Sequence, residues 1–300
     1  MASDKPAEGL GVLLVFGSAA VWSFGGAIAR FLHLDDSWAI VFWRSTFAAA
    51  FLLAMMWWRD GWAGTRALFR AMGLAGLGVG ACFATASSSF VLAMQYTTIA
   101  NILLMQAGVP LIAALVSFLL FRERVDPATW VAIPVVILGV GIMVSGSLTG
   151  QVSPIGDALS LLMALAFAGA TVITRRHARV AMMPAVCTGT AMAAALAATL
   201  LQDFAVSPAD AGLLFVFGAL NLGLGMALFV RGVRRIPATL AALIGVAEPV
   251  LGPVWVWLVH GELPTPRTLI GGGVVLAALL GHLLWQALNQ RTVTVMPMPD

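Results

Sequence analysis

Apolar residues come along this chain in ten long runs, divided by short polar punctuation. The runs cover residues 10–29, 38–57, 71–93, 98–121, 128–145, 156–174, 182–201, 211–230, 237–259 and 268–287. A helix needs about twenty mostly apolar residues to cross the hydrocarbon core of a bilayer, so every run is long enough for one span. The separators carry turn chemistry: Asp35, Asp36 and Ser37, the polar stretch from Ser145 to Pro154, Ser207 with Pro208, and Pro264, Thr265 and Pro266. The pattern predicts an all-α integral membrane protein of ten transmembrane helices, with residues 288–300 as a disordered tail.

Charge supports the count. If the chain starts on the cytoplasmic side, that side receives Lys5, Arg59, Arg66, Arg70, Arg122, Arg124, Arg175, Arg176, Arg179, Arg231, Arg234, Arg235 and Arg291. The opposite side receives Arg30 and Arg267, and Arg44 lies within a span. Cytoplasmic loops of membrane proteins are enriched in Lys and Arg, and a miscount by one helix would scramble this asymmetry. Both termini are therefore expected on the cytoplasmic side of the membrane.

The two halves of the pattern also repeat. Pro110, Glu123 and Pro127 fall on Pro249, Glu262 and Pro266 at a constant offset, with Leu104 on Leu243 and Leu119 on Leu258. Nearer the start, Gly11, Leu14 and Arg30 fall on Gly156, Leu159 and Arg175 at an offset six residues larger, the difference lying in the basic stretch 58–70. The expected units are 10–145 and 156–287. Each holds five spans, an odd number, so the second must be inserted upside down relative to the first, which is a construction of secondary transporters.

Composition removes several classes. With 61% hydrophobic and 10% charged residues, a soluble domain is excluded, and the dispersed arginines make no nucleic-acid stripe. Cys82 and Cys187 lie inside apolar runs and read as buried thiols. The sequence has no H-E-x-x-H and no G-x-S-x-G with a histidine in reach, so an enzyme lacks a constellation. No cofactor or metal is expected. A channel or lipid scramblase shares this composition, and saturable, countertransport-stimulated flux would separate a carrier from them.

Two five-helix halves, each with a proline midway through its fourth helix and a glutamate ending that helix, resemble the EamA-type branch of the drug/metabolite transporter superfamily over about residues 10–288. Within the branch, the chain is similar to the bacterial aromatic amino acid exporters of the YddG type. That resemblance implies an inner-membrane carrier working by alternating access, with Glu123 and Glu262 as locks at the two mouths. On their residues alone, both glutamates also read as solvated acids, with Arg122, Arg124 and Arg267 near in sequence.

A proline inside a helix removes one backbone hydrogen bond and displaces the carbonyl four residues before it. Pro110 and Pro249 therefore read as a mirrored pair of hinges or as static kinks. Arg44 and Glu248 lie well inside spans, where a charge costs about 2.5–3.5 kcal/mol or more. Glu248 is a candidate proton site or contact for a substrate ammonium, or a neutral structural hydrogen bond. Arg44 either snorkels between Trp38 and Trp43 or binds substrate or Glu248. Ser87, Asn101, Gln106 and Asn221 are candidate polar contacts, although helix packing is the commoner use of small and hydroxyl residues such as those around Ser87. Trp22 aligns with Phe167, as a pair flanking a central cavity or as core. The expected cargo is a small neutral or zwitterionic metabolite, aromatic amino acids first, with a hydrophobic cation as the rival. The other expected partner is the lipid bilayer, and a monomer is the simplest assembly.

Overall fold

The computed structural model describes residues 5–122, 127–148, 153–177 and 181–290. The described elements are helices: α1 (Lys5–Ser23), α2 (Gly25–Ala29), α3 (Ser37–Ala93), α4 (Ile99–Ala107), α5 (Val109–Phe121), α6 (Pro127–Leu148), α7 (Pro154–Arg176), α8 (Met182–Leu200), α9 (Pro208–Phe215), a π-helix (Val216–Leu224), α10 (Gly225–Gly232), α11 (Ala238–Gly245), α12 (Ala247–His260) and α13 (Pro266–Gln290). Among these residues, eight helices are long and apolar enough to cross a membrane, or nine when the bent pair Ile99–Ala107 and Val109–Phe121 counts as one. The tail expected from residue 288 begins later, because α13 continues through Gln290; residues 291–300 lie outside the described part.

The 57-residue α3 would measure about 85 Å if straight, nearly three bilayer cores. It is not straight. Gly61 (φ 65°, ψ 178°) and Gly73 (φ 55°, ψ −160°) leave helical geometry, in a region of φ that glycine enters without a Cβ clash. The basic stretch read from the sequence as a loop is therefore helical between two glycine breaks.

Helix ends gather at two poles. At one pole, the Asp210 carboxylate accepts the His33 N–H (3.1 Å) and Asp36 accepts from Gln202 N (3.3 Å). Arg267 donates to the Ser145 carbonyl there, and α7 starts against Tyr96 and Thr97. At the other pole, Arg59 reaches the Met183 sulfur at 3.9 Å, the Arg176 guanidinium sits 3.8 Å from the Phe121 ring centroid, and the first turns of α1 lie on Arg235 and Ile236. Asp36, Thr98 and Ser207 cap the helices that start at the first pole, each satisfying an N-terminal N–H that has no helical partner. Where α6 crosses α13, Gly139 and Gly271 bring the backbones together so closely that a Cβ on either would strike the other's carbonyl oxygen.

Candidate functional site

α4 and α12 pack antiparallel, and three contacts mark the seam. Glu262 Oε1 accepts the Ile99 N–H at 2.8 Å, Leu103 fills the space over Gly252, and Gln106 Nε2 donates to Glu248 Oε1 at 3.3 Å. The seam thus has a carboxylate at each end.

At the acidic pole, Glu262 Oε2 takes the Arg30 Nε–H at 2.9 Å, and the rest of that guanidinium donates to the carbonyls of Met94 (2.8 Å) and Thr97 (3.2 Å). One arginine therefore ties together the ends of α2, α3 and α12, while Glu262 covers the open N-terminus of α4, the favourable end for an anion. Next to it, the buried Asn101 amide donates to Asp157 Oδ1 (2.6 Å) and to Thr97 Oγ1 (3.1 Å). His260 Nε2 lies 3.0 Å from the Ala27 carbonyl and its ring meets Phe31 edge-on. Ion pair, amide and aromatic contacts gather at this pole.

The opposite end of the seam lies where both helices break. α4 ends at Ala107 and α5 begins at Val109, bent by 47°; α11 ends at Gly245 and α12 begins at Ala247. In each case the break residue makes a tight i→i−3 turn, Gly108 N to Met105 O (3.1 Å) and Val246 N to Leu243 O (3.3 Å). Pro110 and Pro249 sit in the first turn of the following segment, where a missing N–H costs nothing. They begin the second segments; the chain bends by 47° at the first break, whereas residues 240–260 run on as one span. Ala107, Leu111 and Val246 share one cluster with Val275 and Leu279 of α13, so the residues at both breaks belong to one apolar cluster. Gln106 and Glu248 are half-buried beside them.

The model of the EamA-like transporter family matches the chain twice, at residues 9–145 and 154–284. The chain belongs to the EamA-like transporter family. It is 24% identical over 276 residues to an uncharacterized transporter, YwfM, of Bacillus subtilis (strain 168), covering 89% of this chain and 80% of that protein. A solved crystal structure 19% identical to it superimposes with a TM-score of 0.60, over 95% of this chain and 99% of that one; the likeness shows a shared fold. The apolar helices and the family together make this a multi-pass membrane protein.

In this EamA-like transporter, the residues singled out from the sequence separate into two groups. Gln106 and Glu248 meet. Trp22 and Phe167 border one cluster, Trp22 against Phe229 (5.4 Å between centroids) and Phe167 against Phe83 (5.9 Å). Asn101 is 1% exposed and engaged as described, and Asn221 donates to the Val21 and Trp22 carbonyls. Those carbonyls lie where α1 gives way to α2, and the Val21 carbonyl also accepts the Phe24 N–H at 3.3 Å, so the Asn221 amide braces a helix break.

Arg44 does not snorkel. It is 6% exposed, donates to Ser87 Oγ at 2.8 Å, and lies over the rings of Phe217 (4.2 Å) and Phe90 (5.6 Å). Trp43 turns away to the Phe204 carbonyl, which leaves no aromatic bracket leading outward. Nor does Arg44 pair with Glu248: its Nε–H has no acceptor among the described residues, and the aromatic faces provide its attraction. The partner of Glu262 is Arg30, 232 residues away, and not Arg267, which is sequence-near but bonds Ser145. Glu123 lies outside the described residues. Asp157, buried in the first turn of α7, escaped sequence reading because an acid in a helix's first turn is common and favourable.

Proposed function

We propose that this transporter is a secondary carrier that exports small neutral or zwitterionic metabolites, aromatic amino acids foremost, by alternating access across a bacterial inner membrane. The observation that carries the reading is the α4–α12 seam, pinned by Arg30 and Glu262 at one pole and meeting at Gln106 and Glu248 where both helices break. Helices interrupted beside a polar pair are how carriers build a site at mid-membrane without exposing unsatisfied backbone to lipid.

Ten spans follow if the arms of α3 on either side of its glycine breaks count separately and α4 with α5 forms one broken span. The halves 10–145 and 156–287 are then inverted repeats, and the basic pole, where α1 starts and α13 ends, is cytoplasmic. Arg30 and Glu262 lock the outer mouth, Glu123 is assigned to the inner one, and Glu248 receives a substrate ammonium or a coupling proton. Trp22, Phe167 and Gln106 line the path; Ser87, Asn101 and Asn221 hold its walls, and Arg44 stands behind them. The chain acts as a monomer without cofactor.

A second reading, export of a hydrophobic cation, draws on the same Glu248 carboxylate. Proteoliposomes containing purified protein decide between them. Saturable, countertransport-stimulated flux of radiolabelled phenylalanine or tryptophan is the expected outcome. Flux of a lipophilic cation without flux of either amino acid sinks the amino acid reading, and unsaturable flux sinks the carrier.

A further inference from the structure

The stretch between Gly61 and Gly73 has no equivalent in the second half, where residues 201–207 run without helix and carry Asp203 in place of arginines. Its residues sort by face. Thr65 and Met72 are buried, and Leu68 and Phe69 pack on the cluster that holds Phe83, Met183 and Val230. These four stand at the i, i+3, i+4, i+7 spacing of an amphipathic helix. Trp62, Arg66 and Arg70 are exposed on the other side.

We propose that this segment is an interfacial helix that binds anionic phospholipid headgroups through Arg66 and Arg70. The bundle already occupies its apolar face, so the basic face is the one presented outward. Arg59 is neutralised by Asp60 at 2.6 Å, whereas Arg66 and Arg70 form no ion pair among the described residues. The Arg66 guanidinium lies 5.8 Å from the Trp62 ring centroid, and Trp57, Trp58 and Trp62 are 60%, 85% and 60% exposed. Tryptophans in that position settle at the headgroup level. Arg176 and Arg235 gather at the same pole, so the surface is positive well beyond the segment itself. Charge complementarity selects a lipid with a net negative headgroup over a zwitterionic one, and this binding is independent of what the protein carries.

Full-length protein in detergent, titrated with phosphatidylglycerol or phosphatidylcholine and followed by native mass spectrometry, tests the proposal. Phosphatidylglycerol is expected to bind more tightly, and each arginine removed in R66Q and R70Q to weaken it about fivefold. The charge-retaining R66K/R70K double variant keeps the preference, and unchanged thermal unfolding shows that both doubles are folded. Equal binding of the two lipids, or full phosphatidylglycerol affinity in R66Q/R70Q, overturns the proposal. Displacement of the lipid by millimolar inorganic phosphate overturns it too, because it marks a simple anion site.

Discussion

At Gly108 the backbone takes φ −75°, ψ −10° and the flanking helices part by 47°; at Val246 it takes φ −62°, ψ −18°, and residues 240–260 still read as a single 21-residue span. Nearly equal local turns thus end in unequal bends, and the side chains account for the difference. Gly108 has none, so Val136 of α6 moves in until a Cβ there would lie 3.1 Å from it. Val246 keeps its own side chain, 7% exposed in the shared cluster, and holds its helix in line. The prolines differ as well, Pro110 facing outward and Pro249 buried. Above all, the position before the proline is Val109 in one break and Glu248 in the other. Backbone geometry is what the two halves share; polar chemistry is what separates them.

Removing the carboxylate tests the separation most severely. In Glu248→Ala, transport in proteoliposomes should fall about 10- to 100-fold, the range spanned by losing one or two hydrogen bonds to a charged group. Adding Val109→Glu should not restore it; recovery would mean that the two breaks are chemically interchangeable. Exchanging the prolines probes the mechanics next. Pro110→Ala and Pro249→Ala should insert and fold but turn over several-fold more slowly, with the larger loss at the buried Pro249. Wild-type rates in both would remove the hinge role.

The finest comparison uses the neighbouring glycines. Gly108→Ala must push Val136 aside and should slow transport a few-fold. Gly245→Ala meets nothing within 4 Å and should leave the rate alone while stabilising the helix by up to about 1 kcal/mol. Equal effects on rate would show that the bend at Gly108 is incidental.

The sequence made the spans legible because a bilayer demands long apolar runs, and the helix breaks because proline has a fixed chemistry. It could not show which polar groups are already satisfied. Asn101 and Asn221 read as open amides, yet the first is engaged by Asp157 and the second by carbonyls at a break 200 residues away. Arg44 reads as an anchor or a substrate contact and Arg30 only as an outer-side charge, yet the first lies buried over Phe217 and the second pairs with Glu262. An arginine near a span end looks like an interfacial anchor in any local window, and only the fold reveals whether an aromatic ring or a carboxylate waits across the bundle. The π-helix at Val216–Leu224 also has no clear local signature, since the glycines around Asn221 serve close packing equally well.

α12 is a helix of 14 residues with Pro253 inside it, about 20 Å long, with Glu248 near one tip, Glu262 just past the other, and Leu103 pressed against Gly252 between them. Under the proposed cycle it behaves as a seesaw. A tilt of roughly 15° about the Leu103 contact carries each tip some 2–3 Å, in opposite senses, which stretches a hydrogen bond past the distance at which it holds. Parting Glu262 from Arg30 would then press Glu248 inward, so that both ends of the path answer to the motion of a single helix.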